Sequence, residues 1–172
     1  MAARPIPRPS ARVLVTGPDG ALLLFQFQPP EGHSSLSAGP SFWITPGGGI
    51  QRDETVAEAA ARELREEVGI IVRPQELGPV VASASGPWSA SGRVYDAHDS
   101  FFWLRVADKT VDTAGQEDLE RSLILGHRWW TVDDLSATTD VVYPIGAASL
   151  LRTLLTSGAP AKPVLLPWQP DS

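Results

Sequence analysis

The sequence predicts an α/β sandwich, and three observations carry that expectation. Short apolar runs recur between Gly- and Pro-rich turns, as strands of a packed sheet do. Two separated segments, residues 55–68 and 145–155, instead place apolar residues at helical spacing. The whole chain, 172 residues with 42% apolar and 20% charged, holds enough apolar material for one core and is too short for two ordinary domains.

Residues 1–10 carry three prolines and two arginines and read as a flexible arm. Residues 12–16 (RVLVT) and 21–27 (ALLLFQF) read as strands joined by the turn Gly17-Pro18-Asp19-Gly20, where Asp-Gly supplies a positive φ. Residues 28–41 form a long Pro/Gly/Ser-rich loop, of a length that marks mobility or function. Phe42-Trp43-Ile44 is a short strand running into Pro46 and three glycines. The best helix is 55–68, and Pro74 interrupts the chain beyond it. Strand-like runs then appear at 80–85, 93–95, 101–106 and 128–131, with a turn of helix at 132–135. A last helix over 145–155 stops at Gly158, and 158–172 is a Pro-rich tail. The folded domain is therefore expected over 11–157, without internal repeats.

Composition excludes several classes. The absence of cysteine removes disulfide scaffolds, thiolate nucleophiles and Cys-ligated metal sites. A net charge of −6 disfavours nucleic-acid and membrane-surface binding. No apolar stretch has the length of a signal or spanning segment, so a soluble cytoplasmic protein is expected. Neither G-x-S-x-G nor G-x-x-x-x-G-K-[ST] occurs, so triad hydrolases and P-loop enzymes lack their signatures.

The negative charge is clustered. Residues 48–70 carry six acids against three bases, and residues 107–120 carry five acids against Lys109. Such clusters are either a solvated face or a site for hard cations, which take oxygen ligands. On a helix with Ala57 at zero, Ala60, Ala61, Leu64 and Val68 fall within about 60° and form a core stripe. Glu63 and Glu67 fall at roughly 240° and 280°, with Glu66 at roughly 180°, on the flank of that stripe. Three neighbouring carboxylates repel one another, and glutamates near a helix C-terminus oppose its dipole, so stability alone does not favour them. A divalent cation would reverse the sign, and Arg62, one turn before Glu66, offsets part of the repulsion. Gly47, Gly48 and Gly49, just upstream, let a ligand approach bare backbone; their simpler reading is a tight loop.

Gly48, five residues, Glu54, seven residues, then Arg62-Glu63-Leu64-Arg65-Glu66-Glu67-Val68-Gly69-Ile70 match every defined position of G-x5-E-x7-R-E-U-x-E-E-x-G-U, U being bulky and aliphatic. In this stretch the chain resembles the Nudix hydrolases. The resemblance in strand order runs from about Arg12 to Leu155 and includes Arg128-Trp129-Trp130 and Asp133-Asp134-Leu135. It implies an α/β/α sandwich with a mixed sheet, and Mg²⁺- or Mn²⁺-dependent cleavage of a nucleoside diphosphate linked to another group. Residue by residue, it implies that Glu63 and Glu67 are the principal metal ligands and that Glu66 is a third ligand or the base. It also implies that the Gly48 carbonyl completes the metal's inner shell, while Arg62 and Glu54 hold the helix against its loop. A further carboxylate often comes from a distant loop, for which Glu117 and Glu120 are the candidates. A homodimer would also be in keeping with the family, as would a non-catalytic nucleotide-binding module as the rival activity.

The remaining candidates are weaker. Residues 95–99 (YDAHD) carry metal-ligand types but read better as a polar loop between strands. His127 reads as a surface or packing residue. Trp43, Trp103, Trp129 and Trp130 read as core aromatics, whereas Trp88, in a Gly/Ser-rich loop, is a candidate for stacking on a base. The tail segment 163–168 (PVLLPW) is apolar enough to pack on its own domain or on a second subunit.

Overall fold

The computed structural model describes residues 4–29, 41–90 and 92–169, apart from the side chains at 90, 119 and 120. Most of the loop 28–41 lies outside that set. Strand β1 (Ile6–Thr16) turns through residues 17–20 into β2 (Leu22–Phe27), and β3 (Phe42–Ile44) and β4 (Gly47–Gly49) come next. Helix α1 spans Val56–Val68, and a 3-10 turn covers Pro74–Leu77. The hairpin β5 (Ala82–Ala90) and β6 (Arg93–Arg105) precedes α2 (Asp118–Leu123), β7 (Ile124–Trp130) and α3 (Val132–Ala137). The chain closes with β8 (Val142–Tyr143), α4 (Ala147–Ser157) and β9 (Val164–Leu165).

The sheet is mixed and folded at the β1–β2 turn, where Thr16 pairs with Leu22. On one side β6 runs parallel to β1 from Ile6↔Tyr95 to Thr16↔Arg105. β5 is antiparallel to β6, and β9 adds in parallel to β5. β4 takes the other edge of β1, antiparallel. On the far side β2 pairs with β3 and β7, and β8 runs parallel to β3.

Strand side chains alternate between two buried faces, which explains why residues 13–15 and 21–25 are continuously apolar. Leu14, Leu22, Leu24, Phe101 and Trp130 pack with Leu135 of α3 and Leu150, Leu151 and Leu154 of α4. Val13, Val15, Leu23, Phe25 and Phe102 pack on Ala60, Leu64 and Val68 of α1. Helices on both faces make the expected α/β/α sandwich. No helix among the described residues is long and apolar enough to cross a membrane.

Several local expectations need correction. The stretch expected as a free arm is paired from Ile6 onward, because β6 offers a parallel ladder over its whole length. The runs expected at 93–95 and 101–106 merge into one 13-residue strand, and the expected polar loop 95–99 is its middle. Trp88 sits within β5, not in a loop, since β5 pairs with β6 through Ala90↔Arg93. Cross-strand pairing overrides local polarity in each case. The tail packs on its own domain: Leu166 and Trp168 lie against the α4-side core.

Candidate active site

Helix α1 is set by its ends. The Thr55 hydroxyl accepts from the Glu58 N–H while Glu58 returns to the Thr55 N–H, a complete capping box, and Gly69 closes the helix in the left-handed region. Of the expected stripe, Ala60, Leu64 and Val68 are buried while Ala57 and Ala61 are half-buried, and Ala59 is buried instead, so the buried face is turned toward the carboxylates. The flank is buried too. Glu63 and Glu67 retain only 6% and 7% exposure, a sharper burial than a flank position implies.

The glycine strand makes that burial possible. β4 pairs Gly47↔Arg12, Gly48↔Ala11 and Gly49↔Ser10. Gly47 has φ 144°, and a Cβ there would come within 2.7 Å of Arg12 Cα, so only glycine fits. A Cβ on Gly48 would lie 2.6 Å from Glu63 Oε1. The carboxylate therefore rests directly on the Gly48 backbone, and the Gly47 N–H donates to Glu67 Oε2 at 2.8 Å.

Arg62 ties the helix to this loop. Its Nε and Nη2 donate to the two oxygens of Glu54 at 2.7 and 3.1 Å. Nη1 donates to Glu63 Oε1 at 2.8 Å and Glu66 Oε2 at 3.2 Å, and Nη2 also donates to the Gly49 carbonyl at 3.0 Å. Hydrogen bonding to this guanidinium, aided by the Gln51 N–H, holds the Glu54 carboxyl below its ordinary pKa. The Glu54 hydrogen bond, against the opposing effect of burial, raises the Arg62 pKa further above its already high value.

Glu63, Glu67 and the three glycines open into a cleft of about 380 Å³ that runs across the α4-side face of β1, β6 and β5. Its floor carries Ser10, Arg12 and Asp99. Ser10 donates to Asp99, Arg12 Nε lies 3.4 Å from Asp99 Oδ2, and Arg12 Nη1 donates to the Thr45 carbonyl at 2.9 Å. Phe42, Tyr143 and Ile145 line one side. At the far end Trp88 stacks on Tyr95, centroids 4.8 Å apart, with the Arg8 guanidinium 4.7 Å from the Trp88 ring.

The structure thus brings together Gly47, Gly48, Gly49, Glu63, Glu67 and Trp88 along one cleft. Glu66 faces Arg62 and is not among the cleft-lining residues, and neither is Glu117. The side chain of Glu120 lies outside the described residues. Part of the second acidic segment, residues 107–120, is docked on α1. The Asp112 N–H donates to the Val68 carbonyl at 2.9 Å, buried Gln116 Nε2 donates to the Glu67 carbonyl at 3.3 Å, and Gly115 abuts the Glu66 backbone. Within 95–99, His98 bonds Ser85 and Asp99 serves the cleft floor. The motif does not mark Arg8, Ser10 or Arg12. Their alternation with Pro7, Pro9, Ala11 and Val13 was the legible sign that this stretch is a strand with a polar face.

The donor set is all oxygen: buried carboxylates beside a bare glycine carbonyl edge, the chemistry a hard divalent cation favours. Among the described residues these carboxylates are drawn to Arg62 and Gly47 and are not gathered about one point. They fit such an ion as ligands already at the cleft, with Arg62 as the competing partner.

An α/β/α sandwich whose acidic helix packs on a glycine strand at the head of a cleft defines a recognisable class. A model of the NUDIX domain matches residues 6–148, and the chain belongs to that family. Over 44 residues it is 43% identical to the m7GpppN-mRNA hydrolase NUDT17 of Danio rerio, a match covering 26% of this chain and 15% of that protein. Over 39 residues it is 54% identical to the phosphatase NudJ of Escherichia coli, covering 23% and 26% of the two chains. Both matches span about a quarter of this chain and at most about a quarter of those relatives. The crystal structure of a MutT protein from Methanosarcina mazei Go1 superposes with a TM-score of 0.60 at 17% identity, covering 88% of this chain and 94% of that one. That likeness is one of fold.

Proposed function

We propose that this chain hydrolyses the pyrophosphate bond of a nucleoside diphosphate linked to another group, with Mg²⁺ or Mn²⁺ as cofactor. The observation that carries this reading is the burial of Glu63 and Glu67 at the head of the cleft, with the Glu63 carboxylate seated where a Gly48 side chain would be. Glu63, Glu67 and the Gly48 carbonyl would hold the metal, with Glu66 beside them. Bound there, a divalent cation supplies charge neutralisation for a pyrophosphate and a lowered pKa for an attacking water. Arg62 orients Glu63 and Glu66 and locks α1 to residues 49–54 through Glu54.

Glu66 is proposed as the group that takes the proton from water. The docking of residues 112–116 on α1 supports this choice over Glu117 and Glu120, because the loop lacks the freedom to arrive with substrate. Glu117→Gln and Glu120→Gln are then expected to keep kcat within about threefold of wild type, and Glu66→Gln to lower it by roughly 10²–10⁴. A loss above tenfold in either loop variant would return the base to that loop.

The substrate is a nucleoside triphosphate, ADP-ribose or a nucleotide sugar, and no residue selects one of them by motif. A panel of these compounds with Mg²⁺, read by phosphate release and product chromatography, tests the reading. Cleavage at a pyrophosphate bond of at least one is expected. Tight nucleotide binding without turnover of any would identify a regulatory module instead.

A further inference from the structure

One face of the β1–β6–β5 sheet forms the cleft floor, and its side chains are small at Ala84, Gly86 and Ala97. Ala84 and Gly86 lie on that face, and Gly86 pairs with Ala97. These residues leave a trough. The chain's own C-terminal tail occupies it. The Val164 N–H donates to the Val81 carbonyl at 2.9 Å and the Leu166 N–H to the Ser83 carbonyl at 2.8 Å, so β9 extends the sheet beyond β5. Two residues on, the Trp168 indole lies on Gly86, where a Cβ would overlap its Cγ and Cδ1. Trp168 Nε1–H donates to the Pro87 carbonyl at 2.9 Å. Held at both points, Trp168 lines the same cleft as Glu63 and Glu67. The tail residues, Val164 to Trp168, lie beyond residue 148, outside the span that matches the family model, whereas the β5 trough that seats them lies within it.

We propose that the tail is a wall of the substrate cleft and that Trp168 is a specificity-determining residue that stacks on the nucleobase. The inference rests on the pyrophosphohydrolase reading above. Phosphates belong at the carboxylate and glycine end, which leaves the heterocycle to the aromatic end. A flat heterocycle is the part of a nucleotide that an indole recognises. Trp88 is already engaged by Tyr95 and Arg8, whereas Trp168 is carried by a separate segment and set in place by a glycine that admits no alternative.

Calorimetry with non-hydrolysable probes tests this on the full chain. The α,β-methylene analogues of ADP, GDP and UDP are compared with methylenediphosphonate, which has no base, on wild type, Trp168→Ala and Gly86→Ala. Gly86→Ala leaves the tail sequence intact and unseats the indole. Affinity for at least one nucleoside analogue is expected to fall about tenfold in both variants, the range of one lost base stack, with methylenediphosphonate unchanged. In turnover, KM rises and kcat holds, and Trp168→Phe restores most of the affinity. Unchanged nucleoside affinity in Trp168→Ala at wild-type Tm overturns the proposal. So does equal weakening of methylenediphosphonate, which would mean general collapse of the cleft. If wild type binds every analogue no better than methylenediphosphonate yet cleaves nucleotides, base stacking falls and the hydrolase reading stands. If it neither binds nor cleaves any, both fall.

Discussion

At the scale of single residues, Arg62 decides how the acids are arranged. One guanidinium serves Glu54, Glu63, Glu66 and the Gly49 carbonyl, so its five N–H donors set the geometry of three carboxylates at once. Glu67 stands apart, held by the Gly47 N–H. Glu67→Gln keeps a carbonyl oxygen to accept from that N–H, replaces the other oxygen by an NH2 group and removes the charge. It should fold with a Tm near wild type while kcat falls by roughly 10²–10⁴, the loss of a ligand that contributes several kcal/mol in the transition state. Wild-type kcat at matched Tm would remove Glu67 from the site. The Glu54–Arg62 pair makes a different, pH-dependent prediction. Glu54 titrates below its ordinary value near 4.5 in the folded protein, so the unfolded chain binds its proton first as pH falls. Its contribution to stability is complete above about pH 4.5 and is lost as pH drops through the depressed value. Unfolding free energies of wild type and Glu54→Gln should therefore differ by a constant amount from pH 7 to about 5 and converge at lower pH. A difference that grows on acidification would refute the pairing.

At the scale of elements, α1 carries core residues and the two buried carboxylates on the same side. Leu64 is fully buried under the helix, so Leu64→Ala should destabilise by about 2–5 kcal/mol while kcat per folded molecule stays within a few-fold of wild type. Denaturant unfolding with activity measured well below the midpoint checks both halves. The periodicity of residues 57–68 made this face legible in the sequence, because a helix buries a stripe that its own spacing defines. The carboxylate row was legible for the same reason. The depth of Glu63 and Glu67 was not, since it depends on β4 pairing with β1 and on the missing Cβ at Gly48. The strand extensions were hidden similarly. Pro7, Pro9, Asp96 and Asp99 argue locally against a ladder and mask the alternation of residues 8–12, and the pairing exists because β1 and β6 align over eleven positions. The anchoring of the acidic segment 107–120 was hidden too: it carries few apolar residues, and hydrogen bonds from Asp112 N–H and the Gln116 side chain to the end of α1 hold it.

At the scale of the molecule, two segments outside the motif complete the cleft. The first, residues 6–12, lays Arg8, Ser10 and Arg12 along the floor; the second, residues 163–168, closes it against β5. Both are Pro-rich, and proline tolerates these places because a strand at or near a sheet edge leaves some N–H positions without a ladder role. The first acidic cluster lies mostly on α1 and the second is docked on the end of that helix, so like charges repel along it. A cation binding the native carboxylates and not the unfolded chain relieves that repulsion and stabilises by RT ln(1 + [L]/Kd). At Mg²⁺ fivefold above Kd this is about 1 kcal/mol, or roughly 2–4 °C in Tm for a chain of this length. The increment should be reduced in Glu63→Gln and in Glu67→Gln, each of which removes a charged oxygen ligand. EDTA should return Tm to its metal-free value and abolish hydrolysis. A Tm indifferent to Mg²⁺ or Mn²⁺, with full turnover in metal-free buffer, would leave the buried carboxylates unexplained and overturn the metal assignment.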